Sequence, residues 1–248
     1  MKSILFILWV LWSILAIILC QIIGHANEEF KAYLWCGAGI LIGILYACLV
    51  SIKAKPMNES KMINYGVIFL VIIVHIFFWF ANPIKEDDYF RYSFDGRNSR
   101  LGEHPYLNPP EYYMTSNAPE YVKNINHPNL LTIYSPVAQV LFLSESFYPN
   151  TIYGWWILIL FADIVLVVFS WRYMIKHKIN WHYFAMIWLN PIWLKEGLNS
   201  GHLDIMVSIF LWIAVYFSVI PTINKNYLST FFISISIGVR PYFGILMI

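Results

Sequence analysis

Long apolar runs alternate with short polar loops along most of the chain, and one extended polar interval breaks the series. A helix needs about 20 mainly apolar residues to cross a bilayer. Runs of that kind lie at residues 3–23, 33–52, 63–80 and 152–173. A shorter run at 181–195 contains Pro191, a further one covers 203–220, and a last one begins near Tyr227. The pattern predicts an all-α, polytopic integral membrane protein with about seven transmembrane helices, forming one transmembrane domain over residues 1–248. The first run is too long for a cleaved signal peptide, and no small-residue cleavage site follows it. An apolar run continues to Ile248 with no polar tail, which predicts that the chain is the N-terminal part of a larger protein.

Composition agrees with the pattern. Hydrophobic residues make up 59% of the chain and charged residues only 12%, against about 25% charged residues in soluble domains. No basic stretch is dense enough for a nucleic-acid binder, so nucleic acid is excluded as a partner. Cys20, Cys36 and Cys48 fall in apolar runs without metal-ligand spacing and read as small apolar side chains. Lys53, Lys55 and Lys61 follow the second run, and Arg172, Lys176 and Lys178 follow the fourth. Positive loops stay in the cytoplasm. Alternation then puts Glu28 and Glu29, the interval 81–150 and the 196–204 turn on the outer side.

Candidate chemistry gathers in three clusters on that side. The interval 81–150 mixes charges of both signs with Tyr, Phe and Pro, which argues against disorder and for a functional loop with short interfacial helices. It opens with Glu86-Asp87-Asp88. If the stretch is helical, Asp88, Arg91, Tyr92 and Asp95 share a face at spacings of three and four, with Arg97 following. The alternative is a surface helix laced with weak ion pairs. The second cluster is Asn126-His127-Pro128 followed by Thr132-Ile133-Tyr134-Ser135-Pro136 and Gln139, where two prolines fix the backbone around a His and a Tyr; a proline-stiffened loop fits the same residues. The apolar run after it, 137–143, is too short to span and suits an interfacial or re-entrant helix. The third cluster holds Glu196, Asn199, Ser200, Gly201, His202 and Asp204. Here the start of the sixth helix offers N–H groups and a dipole to a phosphate; an ordinary helix cap fits the same residues. Asp163 lies alone in the fourth run, either as a hydrogen-bond partner within the bundle or as a charge facing a cavity. His75 reads as a packed or interfacial histidine rather than a ligand.

In this order the clusters resemble the GT-C superfamily of polytopic membrane glycosyltransferases, and most closely its bacterial, mannosyltransferase-like members that use polyprenyl-phosphate sugars. The pieces that carry the likeness are Asp88-Tyr-Phe-Arg91-Tyr92-x-x-Asp95-Gly96-Arg97, Gly102-x-x-Pro105-Tyr106, Asn126-His127-Pro128 and Thr132-Ile133-Tyr134-x-Pro136-x-x-Gln139, followed by Asn190-Pro191 through Glu196 and Ser200-Gly201-His202-x-Asp204. The resemblance implies a GT-C-like fold with a long outer catalytic loop after helix three. It implies an essential acid there, Asp88 or alternatively Asp87, and a multi-pass location in a bacterial inner membrane with the active site facing outward. It also implies a polyprenyl-phosphate-linked sugar as donor and a glycan or lipid as acceptor.

On this reading Asp88 removes a proton from the acceptor hydroxyl, the oxygen attacks the anomeric carbon, and lipid phosphate leaves with inversion. Arg91, Arg97 or His202 would balance the phosphate charge. Tyr92, Asp95, His127, Tyr134, Gln139, Glu196, Gly201 and Asp204 complete the candidate binding set. Carboxylates of Asp87, Asp88 or Asp204 suit a divalent cation, although nothing in the sequence requires one. The competing class is a transporter of a polar or lipid-linked substrate, for which Asp163 and Pro191 speak.

Overall fold

The computed structural model describes residues 2–52, 61–84, 86–149, 151–219 and 224–241. The loop of Lys53 and Lys55 and the chain end at Ile248 lie outside them. The described chain is helical, without strands. Its helices are α1 (Lys2–Gly24), α2 (Glu28–Ser51), α3 (Lys61–Phe80), α4 (Asp88–Arg100), α5 (Glu120–Lys123), α6 (Pro136–Phe142), α7 (Tyr153–Lys176), α8 (Trp181–Trp188), α9 (Asp204–Val219) and α10 (Lys225–Val239), with a π-helix at Trp193–Asn199.

Among the described residues, four helices, α1, α2, α3 and α7, are long and apolar enough to cross a membrane. A fifth span results only if the π-helix and α9 count together as one broken span. The expectation of about seven spans therefore meets four or five. The fifth run accounts for part of the difference. Pro191 lacks an N–H, and the helix ends before it: α8 stops at Trp188, and the Asn190 side chain accepts the Ile192 N–H at 2.9 Å to start the next turn. The described part of the last run forms α10, whose 15 residues reach roughly 22 Å at the α-helical rise, short of a bilayer core of about 30 Å. Large apolar side chains stand exposed along the spans, among them Ile4, Leu11 and Ile18 on α1, Ile40 and Ile44 on α2, and Phe69 and Phe77 on α3. Such faces suit lipid contact, and the protein is a membrane-embedded helical protein.

The chain packs as two compact units. One comprises residues 1–85 and 163–200. Polar side chains fasten its apolar helices where they cross. Trp9 Nε1 donates to His182 Nδ1 at 3.0 Å, Trp12 Nε1 to the Ile42 carbonyl at 3.2 Å, and the Tyr46 hydroxyl to the Met186 carbonyl. Asn199 joins the π-helix to the end of α3. Its Nδ2 reaches the carbonyls of Phe78, Ala81 and Asn82, and its Oδ1 accepts the Ile84 N–H at 3.0 Å. Asp163 and His75, both fully buried, meet at 2.5 Å. His75 Nε2 lies 2.6 Å from the Trp188 carbonyl, and Trp193 Nε1 donates to Asp163 at 2.8 Å. Asp163 is thus a hydrogen-bond partner inside the bundle, and His75 is its counterpart.

The second unit comprises residues 86–162 and 201–248. It contains α4 to α6, the start of α7, α9 and α10, and holds most of the candidate chemistry.

Candidate functional site

Helix α4 is specified at both ends. Asp88 sits in its first turn, Arg97 and Arg100 in its last, each where the helix dipole favours its charge. At the far end, Gly102 adopts φ +83°. The Glu103 N–H returns to the Asn98 carbonyl and the Gly102 N–H to the Ser99 carbonyl, a Schellman closure that needs this glycine. At the near end, the Glu86 carboxylate folds over the first turn, accepting the Asp87 and Asp88 N–H groups at 3.3 and 3.2 Å.

Around that first turn the second unit brings distant residues together. Glu86 Oε2 lies 2.7 Å from His202 Nε2. Asn126 Nδ2 donates to Asp87 Oδ1 at 2.7 Å and to Asp88 Oδ1 at 3.1 Å. The Tyr134 hydroxyl donates to Asp88 Oδ2 at 3.4 Å. Members of all three sequence clusters therefore meet at the start of α4. Burial pushes the Glu86 carboxyl up, but the hydrogen bond and charge of His202, with the Asp88 and Asp87 N–H groups, outweigh it and leave it below its ordinary value. Asp87 moves the other way. Burial raises it, Asp88 and Glu86 add to the rise, and Asn126 and His127 oppose it.

An aromatic layer carries Tyr134. Tyr92 stacks on Phe142 at 4.8 Å and meets Tyr134 and Trp155 edge-on at 5.2 and 5.1 Å. Trp155 Nε1 donates to the Gly201 carbonyl at 2.7 Å. Gly201 takes φ +62°, and an added Cβ would lie 3.2 Å from the Trp156 ring, so this turn requires glycine. The Tyr106 hydroxyl secures the backbone by donating to the Tyr134 carbonyl at 2.7 Å. Ser135 then caps α6 by accepting the Ala138 N–H, with Pro136 in the first turn where its missing N–H costs nothing.

Behind the site, Asp95 is buried and accepts from Arg91 Nε at 3.0 Å, Thr132 Oγ1 at 2.6 Å and Gln139 Nε2 at 2.9 Å. Arg91 also donates to the Leu130 carbonyl. Burial raises the Asp95 carboxyl despite these donors. The network ties α4 to the segment that carries Tyr134.

The candidate residues thus divide. Asp87, Asp88, Tyr134 and His202 gather at the start of α4, and the exposed His127 faces Asp87 electrostatically. Arg91, Tyr92, Asp95 and Gln139 are buried and build the support. Arg97 lies nine residues beyond Asp88 on α4, about half a turn round the helix at 3.6 residues per turn. Asp204 opens α9 and pairs with Arg240 at 3.4 Å. The Ile205 and Met206 N–H groups, which the sequence offers to a phosphate, bond instead to the His202 and Leu203 carbonyls. Glu196 belongs to the other unit, where it pairs with Lys195 at 3.0 Å.

Three contributors escape a reading by motif. Asn126 stands within a quoted motif and Glu86 just before one, but both act through their bonds to His202, Asp87 and Asp88. Arg240 stands apart, and its one signal is a lone charge within an apolar run. Glu86, Asp87 and Asp88 present carboxylate oxygens close enough together to share one cation. Comparisons with protein-family models, with curated proteins and with solved structures find no match.

Proposed function

We propose that this protein is a membrane glycosyltransferase that moves a sugar from a polyprenyl-phosphate donor to an acceptor hydroxyl by inverting displacement. The observation that carries the reading is the setting of Asp88. The carboxylate is half-buried, stands at a helix N-terminus, and receives one hydrogen bond on each oxygen, from Asn126 and Tyr134. Both donors orient it, and each oxygen keeps lone-pair capacity for an acceptor O–H. That is what a general base requires. Asp88 takes the hydroxyl proton while the acceptor oxygen bonds to the anomeric carbon. The bond from that carbon to the phosphate oxygen breaks, and its electron pair leaves with the lipid phosphate. The spans would hold the lipid tail, and the Lys and Arg bias of the loops supports a reaction on the outer side of the membrane. A divalent cation at the Glu86, Asp87 and Asp88 carboxylates would supply Lewis-acid assistance to the same step.

The second reading, a transporter, draws on the buried His75–Asp163 pair, since ionisable groups within spans often line substrate paths. Both nitrogens of His75 and both oxygens of Asp163 are engaged by protein groups, which fits a strut better than a path. Incubation of membranes containing the protein with a radiolabelled polyprenyl-phosphate sugar separates the readings. Lipid-dependent release of polyprenyl phosphate with a glycosylated product supports transfer. Movement of intact label across sealed vesicles without cleavage supports transport.

A further inference from the structure

Arg240 follows α10, and its backbone is anchored beside Tyr134. The Ser135 hydroxyl is 2.5 Å from the Gly238 carbonyl and 3.3 Å from that of Val239. An added Cβ on Gly238 would sit 2.7 Å from Val137 Cγ2, so the end of α10 lies against α6 with no room to spare. From there the guanidinium reaches over the Tyr134 ring, 5.6 Å from its centroid. Asp204 Oδ1 lies 3.4 Å from Nε, yet Nε has no hydrogen-bond partner among the described residues. A planar cation is thus held in place by an aromatic face and a nearby carboxylate, while its buried Nε–H is left without a hydrogen-bond acceptor among the described residues. Arg91, the other arginine of this cluster, commits its Nε to Asp95 and one terminal nitrogen to the Leu130 carbonyl, and its remaining nitrogen, Nη2, is sealed inside the support without a partner among the described residues.

From this geometry we infer that Arg240 is the phosphate-holding residue of the site and grips the lipid phosphate of the donor. This rests on the glycosyltransferase reading and adds where the leaving group lies. Guanidinium matches phosphate in bidentate fashion, and stacking on Tyr134 fixes its plane. Tyr134 then serves both ends of the reaction, with its hydroxyl on Asp88 and its ring under Arg240. The donor phosphodiester carries one negative charge and the departing monoester gains a second as the glycosidic bond breaks. Arg240 meets that added charge, while Asp88 holds the proton taken from the acceptor.

The test is an equilibrium titration of the full chain, in nanodiscs of zwitterionic lipid, with a polyprenyl monophosphate, the matching uncharged polyprenol and inorganic phosphate. Wild type should bind the polyprenyl phosphate and discriminate against the polyprenol. Arg240→Gln should bind the phosphate form roughly tenfold to a hundredfold more weakly, the range of a lost charged hydrogen bond, and Arg240→Lys should recover part of the loss. Polyprenol binding should be the same in all three proteins. Competition by inorganic phosphate supports a site that also accepts free phosphate; its failure to compete supports one that takes phosphate only on a lipid. Melting curves of each variant separate a folding defect, which would weaken polyprenol binding too. Equal binding of polyprenyl phosphate by wild type and a folded Arg240→Gln overturns the assignment, and if wild type still transfers sugar the functional reading survives. No binding of polyprenyl phosphate by wild type overturns both.

Discussion

The carboxylate of Glu86 and the imidazole of His202 lie 2.7 Å apart at the head of α4. Through this contact the loop before α9 is tied to the helix that carries Asp88. The same Glu86 side chain caps the N–H groups of Asp87 and Asp88, so one carboxylate both orders the acidic turn and recruits His202.

That contact sets an acid limb of stability. The Glu86 carboxyl lies below its ordinary value in the folded protein. Its contribution is therefore present above the unfolded-state pKa and is lost as pH falls through the lower, folded-state pKa. Melting temperatures of detergent-solubilised protein should drop across that acid window. Glu86→Gln should melt lower at neutral pH and lose less on acidification. A variant whose acid limb matches wild type would remove Glu86 from this role.

Asp95 is the buried anchor of the support. It accepts three donors, and Asn in its place would present an amide to some of them and leave Arg91 without its counter-charge. Breaking a buried pair in this way costs about 3–5 kcal/mol. Asp95→Asn should lower the unfolding free energy by that order and reduce activity in proportion to unfolded protein. Wild-type stability by denaturant titration would show that the network bears little weight.

Gly201 should tolerate no side chain. At φ +62° with Trp156 pressed against it, Gly201→Ala meets a left-handed penalty of about 1–2 kcal/mol as well as the ring. The expected result is a lower melting temperature together with slower transfer, because the turn carries His202, which pairs with the Glu86 carboxylate ahead of Asp88. An unchanged melting curve would contradict the required conformation.

The distribution of Lys and Arg predicts that Tyr112 and Lys176 lie on opposite sides of the membrane. Single cysteines at these exposed positions, in a background without the three native cysteines, should differ in intact cells. An impermeant maleimide should label position 112 and spare position 176. The reverse pattern would invert the orientation.

Much of this organisation was legible in the chain. Four apolar runs formed helices long enough to span because length and composition alone decide that property. The short apolar run at 137–143 marked α6, and the spacing of Asp88, Arg91, Tyr92 and Asp95 marked α4. Other features were not legible. Spacing puts Asp88 and Asp95 on one face but does not say that one is half-open and the other sealed; that depends on Thr132 and Gln139 arriving from elsewhere in the chain. Pro191 signalled a break, but the π-helix after it follows from packing of the kind Asn199 makes against the end of α3. Arg240 carries no motif, and its place over Tyr134 follows from a close approach of α10 to α6 that only the fold reveals.

The most direct measurement is turnover by Asp88→Asn with a labelled polyprenyl-phosphate sugar, beside wild type and Asp87→Asn, each shown to be folded by its melting curve. Asn keeps the size of the side chain but takes no proton at neutral pH. The account predicts that Asp88→Asn loses about 10²–10⁴-fold in rate, the usual contribution of a general base, while still binding polyprenyl phosphate, and that Asp87→Asn loses less. A folded Asp88→Asn protein that transfers sugar at near the wild-type rate would contradict it.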